Sequence, residues 1–202
     1  MPQILRTTVG DGIETVSSET TSSPRSSLSS SLKREILEFA KTMAYFLVIF
    51  YCTRTLVIEG FEIEGRSMEP TIFEGERVLV LKFPYYFGDI ERGDLVVFKY
   101  PKDEKRRFVK RAIAVGGDLV RIDGGTVYVN GVKVEEDYVP DEFLRHAEHR
   151  DELRVPENCY FVMGDHRNVS SDSRSWGFVP RKCIIGKAAL RFWPPQKVGV
   201  VE

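Results

Sequence analysis

Short apolar runs separated by glycine-containing turns dominate the chain after about residue 55. Residues 77–81 (Arg-Val-Leu-Val-Leu) and 95–98 (Leu-Val-Val-Phe) are such runs, and each closely follows a glycine. Asp-Gly-Gly at 123–125 and Asn-Gly at 130–131 stand between alternating segments, as in tight β-hairpin turns. The pattern predicts strands at residues 55–63, 77–81, 95–98, 110–115, 119–122, 126–129, 132–134, 160–163 and 183–192. We therefore expect an all-β, mainly antiparallel domain over residues 59–202.

A second pattern precedes the strands. Residues 43–52 are an uninterrupted apolar run of ten, which is short of the ~20 residues that span a bilayer. Extending the run to 36–58 reaches that length but includes Glu38, Lys41 and Arg54, whose charges can reach the interface near helix ends. We expect one transmembrane anchor helix over residues 33–58, with a buried amphipathic helix as the alternative.

The first residues have a different composition. Residues 17–31 are rich in serine and threonine and almost lack large apolar side chains, so we expect residues 1–32 to be a disordered N-terminal tail. Basic residues Lys33, Arg34 and Lys41 lie before the apolar run, and only Arg54 lies closely after it. This bias favours an N-terminus inside the cell and the β domain outside.

Composition excludes several classes of function. A net charge of −1 over 202 residues gives no basic footprint for nucleic acid. The three cysteines have no zinc or redox spacing, and pairing of Cys159 with Cys183 is left open. His-Ala-Glu-His at 146–149 is too weak for a metal site, because a charged surface segment explains it better. We expect no metal and no other cofactor, and we expect the charged segment 141–152 to be helix or loop.

Two residues carry candidate chemistry. Ser67 lies in Gly-Arg-Ser-Met-Glu-Pro-Thr, and Lys110 follows 43 residues later inside an apolar strand-like stretch. A serine hydroxyl needs a base to become a nucleophile, and a lysine among apolar residues can serve because desolvation lowers its pKa. Each residue alone is more commonly a turn serine or a solvated lysine.

Four blocks together resemble the bacterial type I signal peptidases. They are Gly-Arg-Ser-Met-Glu-Pro-Thr at 65–71, Arg-Gly-Asp-Leu-Val-Val-Phe at 92–98, Phe-Val-Lys-Arg-Ala-Ile at 108–113, and the run from Gly-Asp-His-Arg to Trp-Gly at 164–177. The resemblance covers about residues 56–194. It implies a single-pass enzyme of the bacterial cytoplasmic membrane with an extracytoplasmic catalytic domain. It also implies cleavage of signal-peptide-bearing preproteins after small residues at positions −1 and −3.

The resemblance implies roles for the catalytic residues. Ser67 is the expected nucleophile, and Lys110 is the expected general base of the lysine type. The Ser67 amide is a candidate donor to the oxyanion. Some relatives supply a second donor from a serine two positions earlier. This chain has Gly65 there, which leaves the second donor open.

The fourth block supplies expected support residues. Ser170 matches a serine that orients the lysine, with an ordinary loop serine as the alternative. Asp172 and Arg174 match residues that brace the site without taking part in the chemistry. Arg111 is a candidate partner for one of the nearby acids, because paired arginines and carboxylates form charge-assisted bonds. His166 stands where asparagine is frequent, and we assign it no catalytic role.

The resemblance also implies how substrate binds. The peptide would lie as an added strand between residues 61–65 and 107–109. Four apolar residues match positions around the small pockets, with plain core positions as an equal alternative: Ile63, Met68, Phe108 and Val109.

Two other classes of protein remain open. A self-cleaving repressor-like protease would use a similar serine and lysine. That class requires an N-terminal DNA-binding module, and residues 1–32 offer only the polar tail. An inactive, membrane-tethered β domain that binds peptides is the third interpretation. The expected partners are preproteins and a lipid bilayer, without nucleic acid; the sequence does not indicate the oligomeric state.

Overall fold

The structure is a computed structural model that describes residues 25–56, 58–82, 88–144 and 148–202. The chain divides into two units, residues 1–47 and 48–202. The first described element is a helix, Arg25–Leu56. It begins earlier than residue 33, where the sequence analysis placed the start of the helix after a disordered tail over residues 1–32. Residues 1–24, the rest of that expected tail, lie outside the described residues.

The helix has exposed side chains over residues 31–51, including several large apolar ones. No helix within the described residues combines the length and the apolar character that a membrane crossing requires. The predicted transmembrane helix at 33–58 therefore receives no support from the structure. The side chains of residues 52–56, and residue 57 itself, belong to that predicted span but lie outside the described part of the chain.

The described residues between 58 and 202 are mainly antiparallel strands, which confirms the mainly antiparallel β prediction. The strands in the described part are β1 (Ile58–Glu62), β2 (Arg77–Leu81), β3 (Leu95–Tyr100), β4 (Asp103–Ala114), β5 (Leu119–Asp123), β6 (Thr126–Val129), β7 (Val132–Lys133), β8 (Arg150–Arg154), β9 (Cys159–Met163), β10 (Val179–Pro180), β11 (Ile184–Trp193) and β12 (Gly199–Val200). The short helices are Asp141–Phe143, Ser173–Trp176, Arg181–Cys183 and Pro195–Lys197.

The strands form two sheets. The larger has the order β1-β2-β11-β3-β4-β9-β10, with β12 added to β11, and the smaller has the order β7-β6-β5-β8. The two predicted hairpin turns connect β5 to β6 and β6 to β7. At the second turn, Asn130 and Gly131 have φ angles of 54° and 80°. Both residue types tolerate this left-handed region, so the Asn-Gly pair fits the tight turn.

Several strands depart from the prediction. β1 begins at Ile58 rather than residue 55, and the short strands β10 and β12 were not expected. The larger departures are β4 and β8. β4 begins at Asp103, seven residues before the expected start at Lys110. Its first five residues are charged and exposed, so the apolar pattern could not reveal them. β8 overlaps the end of the segment 141–152 that was predicted as helix or loop, and it is likewise a mostly exposed, charged edge strand. Pairing with β3 and β5, rather than burial, defines these two strands.

We call the stranded part of the chain from residue 58 onward the β unit. Three apolar clusters of described residues stabilise it. The one that supports the candidate site contains Ile63, Met68 and Ile72 from the β1–β2 connection, packed with side chains of β2 and β3. A second cluster joins β4 and β9 of the large sheet to β5 and β6 of the small sheet, and a third surrounds Phe98 and Tyr160. Cys159 and Cys183 are both free thiols.

Candidate active site

A cleft separates two strand edges of the large sheet. Within the described residues, β1 pairs with β2 alone, and β4 pairs with β9 only from Arg111 to Ala114. Among the described residues, the other edge of β1 and the edge of the first half of β4 that faces away from β3 thus have no neighbouring strand. These two edges line opposite sides of one cleft of about 510 Å³, bounded by residues 61–64, Ser67 and residues 105–110. The cleft has the geometry to accept an extended peptide.

Ser67 lies at the mouth of the turn that follows β1. The next residue, Met68, is buried, and its carbonyl accepts a hydrogen bond from the Ile72 amide at 2.9 Å. The Ser67 carbonyl accepts a hydrogen bond from the His166 amide at 3.1 Å. These contacts fix the turn on both sides, so the Ser67 side chain is held at the cleft wall.

Lys110 lies directly beside this serine. Its Nζ is 2.6 Å from Ser67 Oγ and 3.0 Å from the Val109 carbonyl oxygen. Only 4% of Lys110 is exposed. Burial lowers the pKa of Lys110 to about 8, although the charges of Asp172 and Asp165 oppose the shift. A substantial fraction of Lys110 is consequently neutral under mildly alkaline conditions, and a neutral amine can accept the serine proton.

A buried ion pair lies next to Ser67 and Lys110, which we call the candidate dyad. Arg111 donates two hydrogen bonds to Asp165, at 3.0 and 2.8 Å, and this confirms that Arg111 pairs with an acid of the fourth block. Thr71 donates a third bond to Asp165 at 2.6 Å. Because Thr71 belongs to the turn after Ser67 and Arg111 follows Lys110, Asp165 ties together the two segments that carry the candidate dyad.

Asp172 organises the fourth block. It accepts hydrogen bonds from the Gly164 amide at 3.0 Å and from two guanidinium nitrogens of Arg174, both at 2.8 Å. Burial alone would raise the pKa of Asp172, but the bonds and charge of Arg174 hold it below its ordinary value. Arg174 also donates to Glu148 at 2.6 Å. The geometry agrees with a bracing role for Asp172 and Arg174, which stays a prediction.

Gly164 lets these segments approach one another. A Cβ at this position would lie 2.3 Å from Ser170 Oγ and 2.4 Å from the Ser67 carbonyl oxygen. No side chain fits there without displacing backbone next to the nucleophile. The sequence contained Gly164 within a motif, but its packing role depends on contacts with residues far along the chain and had no local signal.

Ser170 is placed close to the site but not on Lys110. Its hydroxyl is buried and makes no hydrogen bond of ordinary geometry within the described residues. The hydrogen bonds of Lys110 go to Ser67 and Val109 instead. The role of Ser170 in orienting the lysine therefore stays a prediction.

Gly65 supplies no second oxyanion donor in this arrangement. It has a φ angle of 83°, which favours glycine, and its amide donates to Glu74 Oε1 at 3.2 Å. Glu74 is a contact that sequence reasoning missed, because nothing in its neighbourhood marks it. The Ser67 amide remains the candidate donor, and the second donor stays open.

The predicted substrate contacts separate into two groups. Ile63, Phe108 and Val109 line the cleft, as the augmentation hypothesis requires. Met68 is 1% exposed, belongs to the apolar cluster and is not among the residues that line the cleft, which agrees with the alternative of a core position.

Comparison with known proteins identifies the family to which this site belongs. Residues 36–193 match the profile of the family described as signal peptidase, peptidase S26. The chain belongs to the signal peptidase family. A probable signal peptidase I-2 from Synechocystis is 40% identical over 171 residues, which cover 82% of this chain and 77% of that protein. The family assignment makes the chain a hydrolase, and specifically a peptidase.

A second curated relative agrees with this assignment. Signal peptidase IB from Staphylococcus aureus strain COL is 37% identical over 179 residues, covering 81% of this chain and 92% of that protein. A solved signal peptidase I from Enterococcus faecalis V583 is 32% identical and covers 49% of this chain and 96% of that one, with a TM-score of 0.44.

Proposed function

We propose that this signal peptidase is a serine endopeptidase with a Ser67/Lys110 dyad, which removes signal peptides from preproteins. The observation that carries the proposal is the 2.6 Å contact between Lys110 Nζ and Ser67 Oγ, made by a buried lysine at the wall of a strand-shaped cleft. Family membership supplies the reaction class, and the contact supplies a nucleophile within reach of a base.

The proposed mechanism follows from this geometry. Neutral Lys110 takes the proton of Ser67 as Oγ attacks the scissile carbonyl carbon, and the Ser67 amide stabilises the oxyanion. The Lys110 ammonium then gives that proton to the leaving amine, so the peptide bond breaks and an ester to Ser67 remains. Lys110, neutral again, takes a proton from water, and the hydroxide attacks the ester. Collapse of that intermediate returns the proton to Ser67.

We propose that the substrate binds as an added strand in the cleft. The free edges of β1 and of the first half of β4 offer backbone partners for both sides of such a strand. Ile63, Phe108 and Val109 supply apolar walls, and the preference for small residues at −1 and −3 is carried over from the family resemblance.

We also propose that residues 33–58 anchor the protein in the bacterial cytoplasmic membrane, with the β unit on the extracytoplasmic side, although the described residues alone do not have the apolar character of a membrane crossing. Support comes from the exposed apolar side chains of the helix and from the basic residues before its apolar run. Protease treatment of intact spheroplasts tests the topology, since the β unit should be digested. Protection of the β unit, or release of the whole protein by alkaline carbonate, would contradict it.

The test of the peptidase proposal uses the purified full chain and a peptide with alanine at −1 and −3. Wild type should cleave after the alanine at −1, and Ser67→Ala should not. Ser171→Ala is the matched control, because Ser171 is an exposed serine beside the same site. Equal cleavage by wild type and Ser67→Ala would remove Ser67 from its proposed role. Binding without cleavage by wild type would favour the inactive peptide-binding domain.

A further inference from the structure

One ion pair connects the two walls of the cleft away from the candidate dyad. Arg107 of β4 donates to Glu59 of β1, with 2.9 Å between Nη1 and Oε1. The same guanidinium lies 5.2 Å from the centre of the Phe61 ring. β2, β11 and β3 stand between β1 and β4 in the sheet order, so this contact does not follow from strand pairing. We call Arg107 and Glu59 the cross-cleft pair.

The cross-cleft pair is held in place from the β1 side. Glu59 also binds Lys82, with 2.7 Å between Nζ and Oε2. Lys82 follows β2, the strand that pairs with β1, so its contact orients the carboxylate without crossing the cleft. The neighbouring Arg106 behaves differently, because it packs over the rings of Tyr100 and Phe108. Arg107 is therefore distinguished from its neighbour by its reach to β1.

The distance of the cross-cleft pair from the candidate dyad determines which residues of a bound peptide can reach it. Arg107 lies three residues before Lys110 on β4, and at ~3.3 Å per residue this is roughly 10 Å from the dyad. A peptide strand beside β4 covers that distance with about three residues. In a peptide that runs parallel to β4, the residues before the scissile bond lie on the Arg107 side of Lys110. Such a substrate, if it has more residues before the scissile bond, would reach the contacts between Arg107 and the β1 wall.

We propose that Arg107 is a specificity-determining residue, because a peptide strand that extends past it must break its contacts with Glu59 and Phe61. This inference rests on the proposed function, in which the cleft holds the substrate strand. Peptides that end before the pair bind without disturbing it. Longer peptides must displace Arg107, and breaking its contacts weakens their binding. The pair therefore favours long substrates whose residues beyond Arg107 make new contacts with the protein that offset this loss.

Binding to an inactive variant tests this directly. In the full chain carrying Ser67→Ala, fluorescence anisotropy gives the Kd of two labelled peptides, both with alanine at −1 and −3. One has three residues before the scissile bond and the other has eight. Adding Glu59→Gln should tighten binding of the long peptide by roughly 1.5- to 5-fold, the range expected for a half-exposed ion pair, and leave the short peptide unchanged. Arg107→Met should change the long peptide in the same direction.

A matched control removes a comparable ion pair elsewhere. Arg121 and Asp123 pair at 2.9 Å on the small sheet, with side chains 40% and 51% exposed, against 50% and 33% for Arg107 and Glu59. Asp123→Asn should alter neither Kd. Thermal unfolding verifies that each variant folds, and Arg107→Met decides the matter if Glu59→Gln does not fold.

The outcomes separate this inference from the proposed function. Equal effects on both peptides, weaker binding of the long peptide, or no binding of either peptide would each overturn the role of Arg107. Failure of wild type to cleave peptides that the Ser67→Ala protein binds would instead refute the peptidase proposal, and the Kd comparison would still decide on Arg107.

Discussion

Lowering the pH should inactivate the enzyme through Lys110. Its pKa is lowered by burial from the ordinary 10.5 to about 8. At pH 8 about half of the lysine is neutral, and at pH 6 only about 1% is neutral, so kcat/KM should fall about fifty-fold across these two units. With an unshifted lysine the neutral fraction at pH 8 would be about 0.3%, which shows how much the buried position contributes.

The assay is a pH profile of kcat/KM from pH 5.5 to 9.5 with a peptide that has no group titrating in this range. The profile should rise tenfold per unit below the pKa and level off above it. His166 is the histidine next to Ser67, whose carbonyl accepts a hydrogen bond from the His166 amide, so His166→Asn is the control, and its midpoint should match that of wild type. A flat profile, or a midpoint that disappears with His166→Asn, would refute the assignment of Lys110 as the base.

Three further perturbations have defined outcomes. Lys110→Met should stabilise the folded chain at pH 7 by up to about 3 kcal/mol in urea unfolding. The reason is that the depressed folded pKa of Lys110 costs stability below pH 8, and this cost disappears as pH rises toward 10.5. Gly164→Ala should abolish cleavage and cost about 1–3 kcal/mol by overpacking, whereas Gly199→Ala, where a Cβ meets no atom within 4 Å, should leave activity unchanged. Asp165→Asn should cost about 3–5 kcal/mol in the same unfolding assay, because it leaves the buried Arg111 without its charged partner.

Each expectation has a contrary result. A Lys110→Met protein that is less stable than wild type at pH 7 would mean that the lysine is not penalised by burial. Near-normal cleavage by Gly164→Ala would show that the Ser67 segment can shift without consequence. A change below about 1 kcal/mol for Asp165→Asn would indicate a solvated pair of the surface kind.

The parts of the fold that bury an apolar face could be predicted from the sequence. β2 occupies residues 77–81 as expected, and the Asn-Gly turn connects β6 to β7. The charged first half of β4 could not be predicted, because its neighbours in the sheet and not its own side chains define it. The helix was expected, but its start at Arg25 was not, since the preceding composition resembles a polar tail.

The candidate site likewise has residues that the sequence indicated and contacts that it did not. Motif resemblance pointed to Ser67 and Lys110, and the structure brings them within hydrogen-bond distance across 43 residues of chain. The contacts of Glu74 with Gly65 and of Arg107 with Glu59 had no sequence signal. Such contacts depend on how the large sheet places β1 opposite β4, which no local pattern encodes.

Mass spectrometry of a preprotein incubated with the purified enzyme tests the central claim most directly. Wild type at pH 8 should release one mature product whose cleavage site follows small residues at −3 and −1. Lys110→Arg should lose at least about a hundredfold in rate, because a guanidinium keeps its proton in this range and cannot act as a base. Release of the same product by Lys110→Arg at a rate near that of wild type would contradict the Ser67/Lys110 mechanism.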